Sequence, residues 1–417
     1  MKFKLNVFMS FFISFLLFFS STSDAKPFKR VLVLSGGGIA PGIPLGIIAG
    51  LKEKGWQPDL IIGTCGSGLG AAIFNSEQSI AKSFSIVTSP EVFDALKRAK
   101  ISTSNLFDIQ DLLIKGNNTR LYPPIFKQTL LKSPDDFIVP LQNRYFLNSS
   151  HDTRAIIIAA EATFGPNDEG LPRLHKPLFK QVYFTDSDTA QWLQSRQLSI
   201  RNSFPVTTIE RKTEVIDNAD LMTAARAGFA DPFLLNPSII NGNYFFTGAV
   251  DLYPIELAES LGDEVIATYP VKLFESYQDN AIYATFGYRQ SERVIDAIQN
   301  KNVKWIDVSG DEELIFDPKR ILLTMVSGVP DDYMEFKLKV GEQWSFGRAR
   351  AIESLKFAPG TKKDVRLHLR RPINPKLKEK FSCENAYEWK TNNSEKCFYD
   401  KTSGCNRKTA QWCRPLR

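Results

Sequence analysis

Short apolar runs closed by small or polar residues alternate with amphipathic stretches through the first part of the chain. RVLVLS (30–35) is apolar through its centre and runs into GGGIAPG (36–42), which predicts a buried strand ending in a tight turn. PLGIIAGLKEKG (44–55) carries apolar residues at helical spacing and ends with Gly55 at a C-cap position. DLIIG (59–63) predicts a second buried strand, and GSGLGAAIFNS (66–76) a second helix. Strand, helix, strand, helix in so short a stretch implies a parallel sheet covered by helices.

The later pattern continues this theme. RAIIIAAEATF (154–164) predicts another central strand, and QVYFTD (181–186) one more. LMTAARAGFADPFLL (221–235) begins as a helix and breaks near Pro232. NYFFTGAV (243–250) predicts a strand into a turn, and PIELAESLG (254–262) a helix before the strand DEVIATYPV (263–271). Residues 76–150 hold polar and proline-containing stretches such as RLYPPIFKQ and KSPDDF, expected as helices and loops over the sheet edge. The expected fold class is α/β, a mostly parallel sheet flanked by helices.

Composition changes the picture at both ends of the 417 residues. Lys2 and Lys4 precede the apolar run VFMSFFISFLLFF, and SSTSDA follows with small residues at Ser23 and Ala25. This predicts a signal peptide over 1–25, cleaved after Ala25, and export to a periplasmic, outer-surface or secreted destination. No cysteine lies at the cut, so lipid attachment there is not expected. The main domain is expected over 26–360. From about 360 the composition shifts, with RRPINPKLKEK as a linker. Residues 361–417 carry 15 Lys and Arg against 6 Asp and Glu, or +9 of a chain total of +6, which leaves −3 for residues 1–360. This basic segment reads either as a contact for anionic lipid or as a solvated tail. It also holds Cys383, Cys397, Cys405 and Cys413, an even cluster that on an export route predicts two disulfides stapling a small module. Three connectivities are open. The close CxxC pairs of a metal site are missing, so neither metal nor cofactor is expected.

The candidate chemistry lies in two glycine-rich turns after two consecutive strands, GGG (36–38) and GTCGSG (63–68). A nucleophile on a sharp strand-to-helix turn is exposed by small neighbours and favoured by the helix N-terminus. A glycine-rich loop can aim backbone N–H groups at an oxyanion. A dinucleotide reading of GGGIAPG fails, because GxGxxG needs glycine where the chain has Pro41. The bland alternative is a tight turn that lets a helix pack on the sheet.

The stretch LVLSGGGIAPGIPLGIIAGLKEKGWQPDLIIGTCGSGLGAAIF (32–74) resembles the opening of patatin-like phospholipases, where a GGG-x-[RK]-G loop precedes a GTSxGA elbow. LMTAARAGFADPFLLNPSIINGNYFFTGAVDLYPIELAESLGDEVIA (221–267) resembles that family's later block, which carries DG[GA]. The resemblance covers roughly 28–275. It implies the patatin-like acyl hydrolase fold, lipid or a membrane surface as partner with no nucleic acid, and ester hydrolysis by a serine–aspartate dyad without histidine. The three histidines, His151, His175 and His368, lie outside both blocks. It also implies an oxyanion hole from Gly36, Gly37, Gly38 and Gly66.

The chain departs from that pattern at three points. Cys65 stands at the nucleophile position and Thr247 at the dyad aspartate position. Ala40 takes the basic position of the loop, which Pro41 lengthens by one residue. A thiol needs a base less than a hydroxyl does, so Cys65 remains a possible nucleophile. Ser67 falls in the first helical turn, off the elbow, and Asp251 lies about 13 Å along an extended chain from Thr247 at about 3.3 Å per residue. No aspartate able to reach residue 65 is evident. The expectation is therefore an exported, degenerate lipid acyl hydrolase that binds lipid or a partner; the alternative is an active hydrolase using Cys65.

Overall fold

The computed structural model describes residues 26–36, 40–98, 100–101, 121–127, 129, 131–132, 139–148, 153–173, 177–195, 208–269, 272–274, 277–310, 329–362, 366–368, 388–391 and 394–397. The expected signal peptide over 1–25 lies outside these residues, as do Cys383, Cys405, Cys413 and the side chain of Cys397.

A nine-stranded sheet forms the centre. Its strands are β1 (Phe28–Leu34), β2 (Leu60–Thr64), β3 (Arg154–Ala162), β4 (Phe179–Phe184), β5 (Glu214–Ile216), β6 (Ser238–Ile240), β7 (Asn243–Phe246), β8 (Gly262–Tyr269) and β9 (Lys304–Asp307). The order is β9-β8-β1-β2-β3-β4-β5, with β7 against β3 and β6 against β7. The β9, β8, β1, β2 and β3 neighbours all pair in parallel. The expected mostly parallel sheet is present, and the run RVLVLS, DLIIG and RAIIIAAEA forms its centre.

Direction changes on the far side of β3. β4 and β7 both pair antiparallel to it, and β6 and β7 make a hairpin. The patterning of QVYFTD predicts a strand but carries no direction. The hairpin turn is Asn241-Gly242, both at positive φ (52° and 83°), the turn chemistry that matches the strand twist.

Strand side chains alternate between two cores. Leu32, Leu34, Ile61, Ile157 and Ala159 pack on one face beneath α1 (Gly42–Glu53) and α2 (Ser67–Glu77). Val31, Val33, Ile62, Ile156 and Ile158 face the other way, toward α7 (Ile255–Leu261) and α8 (Tyr277–Phe286). In chain order the remaining helices are α3 (Ile80–Val87), α4 (Pro90–Lys97), α5 (Ser187–Ser195), α6 (Leu221–Gly228), α9 (Gln290–Ala297) and α10 (Tyr333–Ser354). Helices thus cover both faces, because strands buried on both sides need apolar cover on both. Gly55 sits one residue beyond the α1 cap at φ 78°, donating to the carbonyl of Lys52 as a left-handed stop.

α10, which the sequence reading did not single out, lies on α1 almost backbone to backbone. A Cβ at Gly46 would stand 2.0 Å from the carbonyl oxygen of Trp344, and one at Gly347 would stand 2.3 Å from that of Ile43. The glycines at 42, 46 and 50 repeat every fourth residue and put this bare stripe on one side of α1. This contact holds α1 over the carboxyl end of β1, where the glycine-rich turn begins.

Candidate active site around Cys65

β2 ends at Thr64 and α2 begins at Ser67, so the chain must turn within Cys65 and Gly66. Cys65 makes the turn at φ 50°, a left-handed conformation that a side chain adopts only where the surroundings enforce it. The enforcement is visible. Thr64 Oγ1 accepts from the Gly36 N–H at 3.0 Å, and the Gly36 carbonyl accepts from the N–H of Ser67 (3.1 Å) and from its hydroxyl (2.5 Å). A Cβ at Gly63 would meet Gly68 Cα at 2.8 Å, and one at Gly248 would meet the Cys65 nitrogen at 2.6 Å. Glycine is required at both positions for the elbow to close.

These contacts give the first glycine of the GGG turn a bracing role. Its N–H is taken by Thr64, so it does not point at an oxyanion over residue 65. Gly37 and Gly38 lie outside the described residues. Gly66, at the head of α2, is the described residue best placed to offer an N–H to an oxyanion beside residue 65. Ser67 opens α2 and is buried, with its hydroxyl donating to the Gly36 carbonyl.

The sulfur does have a carboxylate beside it. Cys65 Sγ donates toward Asp231, with Oδ1 at 3.5 Å and Oδ2 at 3.6 Å. The expectation that no aspartate reaches residue 65 is therefore corrected. Asp231 follows α6, in the break that Pro232 imposes. Its carbonyl accepts from the N–H groups of Leu234 and Leu235, closing a tight turn, and Phe233 within that turn is held at φ 63°. A bulky residue in this region marks stored strain, and here it lies two positions from Asp231.

Thr247 lies beside the same elbow. Its hydroxyl accepts from the Ala249 N–H at 3.0 Å. Its own N–H donates to the carbonyl of Ala230 at 3.2 Å, so Thr247 and the residue preceding Asp231 are hydrogen-bonded neighbours. Asp251 is elsewhere. It is fully buried and accepts from Arg293 Nε (3.3 Å) and Gln181 Nε2 (3.3 Å).

Electrostatics follow from burial. Cys65 is 2% exposed, and Asp231 is also buried. Desolvation pushes the Cys65 thiol well above its usual range, and the Asp231 charge pushes it further; the Gly66 N–H and Thr247 hydroxyl pull the other way. The resting site holds a neutral thiol bonded to a carboxylate. A small cleft beside the elbow, lined by Ser35, Ala40, Ile43, Pro44, Gly66 and Ser67 among others, stops short of the sulfur. His151 and His175 lie outside the described residues, and so does the side chain of His368.

The patatin-like phospholipase model matches residues 32–258, more than half of the chain, all of the first motif block and most of the second. The chain belongs to the patatin-like phospholipase family. Among solved structures it is similar to the crystal structure of VipD from Legionella pneumophila, with a TM-score of 0.37 and 11% identity over 79% of this chain and 67% of that one. No curated protein matches.

Within this patatin-like fold the Cys65 thiol and the Thr247 hydroxyl sit at the elbow, and a carboxylate comes from the turn after α6. Motif matching missed Asp231 because it looks for the aspartate after β7. The available signal was a lone acidic residue in the otherwise apolar AGFADPFLL (227–235). An unpaired carboxylate there would be costly to bury, so its presence pointed to a partner.

Proposed function

We propose that this patatin-like protein is an acyl-ester hydrolase acting on lipid, with Cys65 as the attacking atom. The observation that carries this reading is the Cys65 sulfur, held on a left-handed elbow at the head of α2 and hydrogen-bonded to a carboxylate. A thiol with a base in contact and helix amides beside it has the parts that nucleophilic acyl transfer needs. Gly66 N–H supplies one oxyanion donor in this reading. Lipid as substrate class comes from the family.

A second reading keeps the fold and gives up the chemistry: a degenerate hydrolase that binds lipid or a partner. It is favoured by the 2% exposure of Cys65 and by the neutral thiol, since a small buried cysteine is usually inert. Export over a cleaved 1–25 segment, two C-terminal disulfides and lipid contact by the basic 361–417 segment complete the proposal under either reading.

Turnover separates the two. A short-chain ester and a phospholipid are offered to the wild type and to Cys65→Ala. Hydrolysis lost in Cys65→Ala supports the thiol hydrolase. No hydrolysis by the wild type, with the protein folded, supports the binder.

A further inference from the structure

We propose that the general base of this site has moved within the fold: Asp231, on the turn after α6, does the work that the family assigns to the position now held by Thr247, and Thr247 is retained as a hydroxyl donor to the same sulfur. This deepens the proposed function and rests on it.

The geometry allows the exchange. Residues 231 and 247 approach Cys65 from two segments that touch through the Thr247 N–H and the Ala230 carbonyl. Both side chains are buried; Asp231 bonds the sulfur, and a Cβ at Gly248, next to Thr247, would stand 2.6 Å from the Cys65 nitrogen. A carboxylate on either segment therefore faces the same atom. With one on each, two acidic groups would share a dry site, which disfavours ionising both. The threonine hydroxyl avoids that conflict. The strained Pro232-Phe233 turn then has a role, since it aims the Asp231 side chain back at the elbow.

As Cys65 Sγ attacks the ester carbonyl carbon, its proton passes to Asp231 and an S–C bond forms. The tetrahedral oxyanion collapses, the C–O bond to the leaving alcohol breaks, and that oxygen takes the proton from Asp231. Water then attacks the thioester while Asp231 accepts one of its protons. Collapse releases the acid, and the departing sulfur regains the proton. Asp231 is thus a catalytic residue, and Thr247 positions the sulfur by donating to it.

Two readouts test this in the full chain. The first is turnover. Asp231→Asn should lower kcat about 100- to 10,000-fold, the range general-base assistance supplies. Thr247→Val should change it far less, and Asp231→Asn with Thr247→Asp should recover part of the loss. The second is the titration of Cys65, read as thiolate ultraviolet absorbance against the matching Cys65→Ala protein. Asp231→Asn should move it to lower pH and Thr247→Val to higher pH. The titration needs no substrate. A wild type that hydrolyses no ester defeats the proposed hydrolase, and the titration still shows whether Asp231 faces the sulfur. Full turnover in Asp231→Asn, or a titration it leaves unmoved, overturns the relocation. If Asp231→Asn fails to fold, Thr247→Val decides: a loss of turnover beyond about 100-fold would return the base's role to position 247.

Discussion

The N–H of Thr247 donates to the carbonyl of Ala230 at 3.2 Å, so the strand-to-turn segment after β7 and the break after α6 are joined beside the Cys65 sulfur. This contact makes the site one unit of three chain segments. It also gives the nucleophile a definite expected behaviour. Cys65→Ser keeps an attacking oxygen within reach of Asp231 and should retain measurable turnover, whereas Cys65→Ala should have none. Steady-state hydrolysis of one ester by both variants checks this. Equal inactivity would mean that Asp231 cannot serve a hydroxyl.

The thiol also makes stability depend on pH. Its folded value is raised, so the unfolded chain loses this proton first as pH rises. The contribution is present in full below the ordinary thiol range, about 8.5, and is lost as pH climbs above it toward the folded value. Over that window stability should fall by up to about 1.4 kcal/mol per pH unit from this group. Urea unfolding from neutral to alkaline pH should show a shallower decline in Cys65→Ala than in the wild type. Parallel declines would contradict the buried neutral thiol.

Much of the sheet was legible in the sequence because its central strands are buried on both faces and read as continuous apolar runs, as in RVLVLS and DLIIG. The elbow was legible because Gly63, Gly66 and Gly68 alternate with small residues between a strand and a helix. The antiparallel direction of β4 was not, since alternation fixes faces and says nothing of direction. Asp231 was not, because pairing through space leaves no trace in spacing along the chain. The role of Gly36 as a brace became visible only through its bonds to Thr64 and Ser67.

Glycines on the two packed helices should respond in opposite ways. Gly46→Ala drives a methyl into the Trp344 carbonyl and should cost about 1–3 kcal/mol, as overpacking does. Gly341→Ala, on α10 with open space around its Cβ position, should gain up to about 1 kcal/mol of helix propensity. Denaturant midpoints of the two variants give the comparison. A destabilised Gly341→Ala, or an unaffected Gly46→Ala, would contradict the contact.

Arg293 is fully buried and bonds Asp251, Glu256, Asp296 and the Tyr253 carbonyl, tying the turn after Thr247 to α7 and α9. These carboxylates hold its guanidinium charged despite burial. Arg293→Met removes the positive charge that balances buried Asp251 and should cost about 3–5 kcal/mol, measured by urea unfolding. A loss within about 0.5 kcal/mol, the usual effect of a surface change, would show that the network is not anchoring this turn.

The central claim is that the Cys65 sulfur forms a covalent bond to the acyl group. Rapid acid quench of the wild type with a short-chain ester, followed by peptide mass spectrometry, measures it directly. The account predicts an acyl increment on the peptide containing Cys65, released by hydroxylamine as a thioester should be and absent from Cys65→Ala. Ester consumed with no increment at Cys65, or with the acyl group on another residue, would contradict it.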